Sequence, residues 1–351
     1  MAAAAVGLGG RGEQVGVLRG VWQPNAPSLI TNPRRVFKAA NPGREQTETW
    51  IFSLAVISES DEAMEPVTMR AVLRRAGAAV KEVDHETAAV TAMRLGQGVT
   101  RLPATAEHPE PRFAPLALRL GFTEPRALAV DGVDLELRVR SASGPETALS
   151  THVPVGTYQQ KTALLFPFRG PGMIASGGAA NGGHANRSGQ FAIDALGLSP
   201  LYAPMSGAPE GTNPSYAGWG RPILAPADGV IVVARRDRPD QPKPEVSDPH
   251  YYAPEHPQGG DPGNHVVIDH GNGEFSLLAH FQQGSLTVGV GDCVTRGQSI
   301  ALLGNSGDSS GPHVHHQLQD GPDWQASDAL PRRFDNVSAE FLVKGTWFEA
   351  K

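Results

Sequence analysis

Cysteine is almost absent from this sequence: Cys293 is the only one among 351 residues. A lone thiol builds neither an intrachain disulfide nor a cysteine zinc site. In VGVGDCVTRGQSIALLG, a run of short apolar segments, it is expected to pack as a small hydrophobe. Aromatic residues are also scarce, at 6%. No apolar run approaches the ~20 residues of a membrane helix, so no membrane span is expected and the chain reads as soluble. Charge of one sign is missing as a block. The net charge of −6 is spread along the chain, which gives no footprint for nucleic acid or an anionic membrane as partner. The opening MAAAAVGLGGRGEQ lacks a basic n-region, so a secretory signal is not expected there.

Glycine and proline, by contrast, are abundant, at 41 and 30 residues. That composition favours many short strands joined by turns, and the length suits two domains. The expected fold class is all-β and mainly antiparallel. Residues 1–40 lack sustained periodicity and read as a loosely ordered arm. Its GLGGRG, with Gly7, Gly9 and Gly12, fits GxGxxG formally, but no strand precedes it and no βαβ pattern follows, so it has no frame for a pyrophosphate. Residues 41–155, from TETWIFSLAVISES through FAPLALRLGF to VDLELRVRSAS, alternate apolar and polar positions and predict a small β-sandwich-like domain. MRAVLRRAGAAVKEV within it fits either a helix or a strand. This domain holds no cluster of metal-binding or acid/base residues, which favours a packing or spacer role.

Residues 158–330 form a second predicted domain, followed by a tail at 331–351. Strands are expected at FAIDAL, PILAPADGVIVVAR, NHVVIDHG, EFSLLAHF, SIALLG and HVHHQL, with a hairpin closing on Asn272-Gly273. Two insertions interrupt them, near Leu198 to Arg221 and over RRDRPDQPKPEVSDPHYYAPEHPQGGDPG. Each is either mobile decoration or the wall of a groove. His250, Tyr251, Tyr252 and His256 could contact substrate, but an exposed loop is the favoured reading.

Three of the twelve histidines stand in SSGPHVHHQL. Alternation along a strand puts His313 and His315 on one face and His316 on the other. Two imidazoles on a face suit a divalent metal, or one ligand beside one catalytic histidine. Asp194 ends FAID, ten residues after His184 in a Gly/Asn-rich loop, and His280 ends SLLAHF. If these strand ends converge, two histidines and a carboxylate leave an open fourth position for water.

From about Gly182 to Gln319 the chain resembles the LytM-type, M23 family zinc metallopeptidases, which hydrolyse peptide bonds in bacterial peptidoglycan. GPHVHHQL is similar to their late motif and LLAHF to their preceding catalytic strand. VVIDHGNG resembles their glycine-rich hairpin and PILAPADGVIVVA their early strand pair. The resemblance implies a LytM-like antiparallel β-sheet with long loops and one zinc ion per chain. His184, Asp194 and His315 would be its ligands, and His280 and His313 the catalytic histidines. The family's usual first motif has three residues between histidine and aspartate, whereas HANRSGQFAID has nine. His270 matches a turn histidine that is not a ligand; His316 and His265 are expected to pack or meet solvent. The implied partner is peptidoglycan or another peptide, and the implied location is the cell envelope or the exterior. No HExxH glutamate is present, so His280 or His313 must accept the proton, the other donating to the oxyanion.

Two other function classes fit parts of the sequence. GDSSG matches the GxSxG nucleophile elbow with Ser309 as nucleophile, but Gly311-Pro312 leads into a strand where the elbow needs a helix. A LytM-like module without catalysis, acting as a cell-wall binding or regulatory protein, is the non-enzyme alternative; the filled set of five site positions favours hydrolysis. Paired strands of the lipoyl-carrier kind fail for want of a lysine in the exposed hairpin.

Overall fold

Apolar runs set most of the regular structure, with period-two alternation in strands such as Gly132–Ser141 and continuous burial in strands such as His265–Asp269 and Phe275–Ala279. A computed structural model describes residues 26–32, 36–41, 44–96, 98–102, 110–177, 184, 189–256, 260–339 and 342–351. The GLGGRG stretch lies outside them. Two compact units divide between Tyr158 and Gln159.

The first unit contains two five-stranded sheets. One is ordered β1 (Ser28–Asn32), β4 (Arg44–Ser58), β8 (Arg112–Pro125), β7 (Thr100–Leu102), with β3 (Ala39–Asn41) also paired to β4. The other is ordered β2 (Val36–Phe37), β10 (Glu146–Gly156), β9 (Gly132–Ser141), β5 (Met64–Arg75), β6 (Ala78–His85). Every ladder is antiparallel except β10 with β2. Trp50, Phe52, Leu54, Leu118 and Leu120 from one sheet share a core with Met69, Ala71, Leu73, Val133 and Leu135 from the other, which makes a sandwich. Part of the expected arm therefore belongs to the sheets, because Ser28–Asn32 finds a full ladder on β4.

MRAVLRRAGAAVKEV is a hairpin. Ala76 and Gly77, at φ +48° and +80°, form its two-residue turn, as a tight hairpin requires. Alternate burial of Met69, Ala71 and Leu73 against β9 decides for the strand, since a helical phase would turn part of that set to solvent.

The second unit is built on a nine-stranded sheet. Its order is β17 (Cys293–Val294), β14 (Gly229–Arg235), β15 (His265–Asp269), β16 (Phe275–Ala279), β19 (Val314–Gln319), β12 (Ile193–Gly197), β11 (Gly170–Gly177), β21 (Trp347–Ala350). Strand β20 (Ala329–Leu330) also pairs with β19, while β13 (Pro222–Leu224) and β18 (Ser299–Leu302) make a separate pair. The hairpin on Asn272-Gly273 joins β15 to β16 in antiparallel register. Residues 331–351, expected as a tail, contribute β21 and two core rings. Phe334 and Phe348 pack on Phe166 at centroid distances of 5.0 and 4.5 Å. Cys293 also departs from expectation: it is exposed, because the alternation that buries Val294 at 2% turns its neighbour outward.

Candidate metal centre

Strands β12, β19 and β16 lie side by side, and their register assembles the site. Asp194 is the cross-strand partner of His315, and His315 that of Ala279, the residue before His280. Directly opposed residues point to the same face of a sheet. His280 itself has φ +65°, a left-handed conformation that a histidine adopts only at some cost. Its amide donates to the Pro262 carbonyl and its own carbonyl accepts from Gly304, which holds the strained turn in place.

Glycine allows the close approach that brings His313 in. A Cβ at Gly304 would lie 2.1 Å from the Gln282 amide nitrogen, so the chain entering the 304–311 turn presses against the chain leaving β16. Both insertions are tied to this turn. Asp240 accepts from the amides of Asn305 and Gln283 at 2.8 and 2.9 Å. Gln241 Nε2 donates to the Gly307 carbonyl at 2.7 Å. The hydroxyls of Tyr252 and Ser247 donate to Asp308 Oδ1 at 2.7 and 2.8 Å. From the other insertion, Asn213 Oδ1 accepts from Asn305 Nδ2 at 2.9 Å. Both insertions are therefore fastened to the 304–311 turn by these bonds.

The five residues named from the sequence cluster together, with three of the histidines within 3.5 Å of the Asp194 carboxylate. Asp194 Oδ2 is 3.1 Å from His184 Nε2. Asp194 Oδ1 is 3.0 Å from His315 Nδ1 and 3.5 Å from His313 Nε2. The His280 ring lies 4.6 Å from that of His313 and 6.0 Å from that of His315. His184, Asp194 and His315 each offer one ligand atom, all within 4.8 Å of one another.

The donor set fits a divalent cation on the chemistry of its atoms. His184 Nε2 is buried and has no hydrogen-bond partner; its contact with Asp194 is a distance without hydrogen-bond geometry. His315 Nδ1 lies 3.0 Å from Asp194 Oδ1 and its Nε2 2.9 Å from Gln317 Oε1, so whichever nitrogen of the neutral ring carries the proton, the other presents its lone pair to an oxygen. Two acceptors facing each other are stable when a cation lies between them. Two imidazoles and one carboxylate are ligands that zinc accepts.

Burial and charge act on these groups in opposite senses. Burial alone would raise the pKa of Asp194, but the imidazoles of His184 and His313 hold it well below the carboxylate range. Burial, helped by the neighbouring His313 and His315, pushes His280 well below the usual histidine value. Burial also lowers His315. His313 moves upward, because the Asp194 carboxylate outweighs its desolvation.

His280 Nδ1 donates to the Ser306 carbonyl at 2.8 Å and His313 Nδ1 to the Gly311 carbonyl at 2.7 Å. His280 Nε2 is thus left as an acceptor, whereas His313 Nε2 faces Asp194 Oδ1 at 3.5 Å, where a proton on it is favoured. Ser309 is 2% exposed, and its hydroxyl donates to Asn305 Oδ1 at 2.6 Å. It is a bonded turn residue, 3.2 Å from His313 Nδ1, the nitrogen whose proton already goes to Gly311. A base that takes a serine proton needs a bare nitrogen there.

The other described histidines of this unit stand apart from the cluster. His316 is buried on the opposite face, its ring 5.1 Å from Phe334 and its Nε2 3.3 Å from Ser276 Oγ. His270 donates Nδ1–H to the Asp228 carbonyl and meets Ser276 Oγ through Nε2. His265 donates Nδ1–H to the Gly263 carbonyl. His256 packs its ring 5.4 Å from Trp324, and His250 is exposed beside Asp248. Gln317, Asn305, Asn213 and Asp308 were not found from the sequence. For Gln317 the signal was present, since it continues the alternation of His313 and His315.

Residues 215–328 match the model of peptidase family M23. The chain carries a peptidase family M23 domain. Over 99 residues the chain is 35% identical to the peptidoglycan DD-endopeptidase ShyA of Vibrio cholerae, covering 28% of this chain and 17% of that protein. Over 109 residues it is 32% identical to the DD-carboxypeptidase/endopeptidase Mpg of Neisseria meningitidis, covering 31% of this chain and 20% of that one. The M23 match thus spans only a fifth or less of either relative's length. A zinc containing peptidase from Vibrio cholerae aligns in structure at a TM-score of 0.28 and 12% identity, over 88% of this chain and 87% of its own. His280, His313 and His315 fall inside the matched M23 residues, and His184 and Asp194 precede them.

Proposed function

We propose that the M23 domain is a zinc-dependent endopeptidase with one zinc per chain, that its substrate is a peptide of bacterial peptidoglycan, and that it works in the cell envelope or outside the cell. The observation that carries this reading is the convergence on Asp194 of His184 and His315, with His280 and His313 flanking. The M23 match and the names of the relatives support the substrate class.

Held by His184 Nε2, an Asp194 oxygen and His315 Nδ1, zinc would supply Lewis acidity and a bound water of lowered pKa. The flanking histidines do the proton work. Each has committed its Nδ1–H to a backbone carbonyl, so the proton transfer falls to Nε2. That nitrogen accepts a proton from the attacking water; once protonated, it donates to the developing oxyanion or the leaving amine. Burial keeps His280 neutral, as an acceptor must be.

The test is to incubate zinc-loaded protein with purified peptidoglycan, with and without a chelator, and identify released termini by mass spectrometry. Chelator-sensitive release of new peptide termini is expected. His315→Ala should lose both zinc and release, whereas His280→Ala should keep zinc and lose roughly 10²- to 10⁴-fold in rate. Wall binding without release by the zinc-loaded protein would overturn the reading in favour of a binding or regulatory module.

A further inference from the structure

Beside the ligands, the buried side chains of β19 form a chain of amides whose polarity is fixed at one end. His315, Gln317 and Gln319 alternate onto one face of the strand, and Gln317 and Gln319 are 4% and 0% exposed. Gln319 Nε2 donates to the Gly321 carbonyl at 2.6 Å. Gln317 Nε2 donates to Gln319 Oε1. His315 Nε2 lies 2.9 Å from Gln317 Oε1.

A backbone carbonyl only accepts, and that settles each orientation in turn. The group of Gln319 facing Gly321 must be its NH2, so its oxygen faces Gln317. Gln317 must then offer its NH2 to Gln319, which turns its oxygen toward His315. His315 must therefore carry its proton on Nε2, and its lone pair stands on Nδ1. Reversing the chain would set the Gln319 oxygen against the Gly321 oxygen, two acceptors facing each other with no proton between them.

We propose that Gln317 and Gln319, anchored on the Gly321 carbonyl, are positioning residues that hold His315 in its Nε2–H tautomer and so present Nδ1 to the metal. The proposal rests on the zinc reading above. Without the relay, His315 is free to move its proton to Nδ1 and donate it to Asp194, 3.0 Å away, which blocks the ligand atom. Outer partners of this kind typically change metal affinity by about 10- to 100-fold.

Two measurements on the full chain test it. Zinc affinity, read by competition with a chelating dye, should fall about 10- to 100-fold in Gln317→Leu, and by less in Gln319→Leu, which leaves Gln317 Oε1 facing His315 Nε2. A Gln317→Leu protein that binds zinc as tightly as wild type overturns the proposal, as does a loss in Gln319→Leu larger than that in Gln317→Leu. Nitrogen NMR of zinc-free wild-type protein needs no variant: His315 should show a protonated Nε2 and a bare Nδ1, and the opposite tautomer overturns the relay. Failure of wild-type protein to bind zinc at all refutes the zinc reading itself, a result separable from these.

Discussion

Ser309 separates two chemistries within one short motif. Its hydroxyl already donates to Asn305 and lies against the protonated side of His313, so it has neither a free proton path nor a base. Its contribution is to hold the turn that aims His313. Ser309→Ala removes one neutral hydrogen bond, worth about 1 kcal/mol, and leaves Gly311 to keep the His313 tautomer. Activity should therefore stay within about tenfold of wild type, equivalent to ~1.4 kcal/mol in the barrier, with zinc content unchanged. A serine hydrolase would instead lose its whole turnover on this change. Rates of peptidoglycan release measured beside metal analysis decide between the two.

Among the elements, the 235–263 insertion has the composition of a mobile loop, yet it is fastened to the 304–311 turn through Asp240, Gln241, Ser247 and Tyr252. Tyr252 offers a pH-dependent reading of that fastening. Burial, with Asp308 adding to it, raises its pKa from 10.0 to about 12. The folded chain thus keeps this proton after the unfolded chain has lost it. The stability contributed is full below pH 10 and is lost as pH rises to about 12. Urea unfolding of wild type and Tyr252→Phe at stepped alkaline pH should show a stability difference that shrinks across that interval. A constant difference would mean that the hydroxyl is not held in this way. Proline and charge hid this fastening in the sequence, because its partners, Asn305, Gly307 and Asp308, lie some sixty residues away. Strands were more legible: short apolar runs between turn residues marked β12, β15, β16 and β19. Alternation also placed His313 and His315 on one face and His316 on the other. It left MRAVLRRAGAAVKEV open, since its apolar residues fit both periods until β9 packed on one of them. His184 and Asp194 were legible through family resemblance, whereas the strand register that brings Asp194 to His315 is a tertiary fact.

For the whole molecule, each unit has its own core, and every residue of the proposed centre lies in the second. The first unit closes a sandwich around Trp50, Phe52 and Leu135. The second closes its sheet edge with Phe166, Phe168, Phe334 and Phe348, of which the last two come from residues 331–351. Phe348 is 2% exposed, and emptying such a site costs about 3–5 kcal/mol. Residues 159–351 made alone should therefore fold cooperatively and bind one zinc with an affinity within about threefold of the full chain, roughly 0.6 kcal/mol. Ending the same fragment at residue 330 removes β21 and both rings, and should abolish the cooperative transition together with zinc binding. Thermal unfolding and zinc titration of the two fragments check this. If the shorter fragment melts like the longer one, β21 is dispensable. If the longer one fails to fold, the second unit depends on the first.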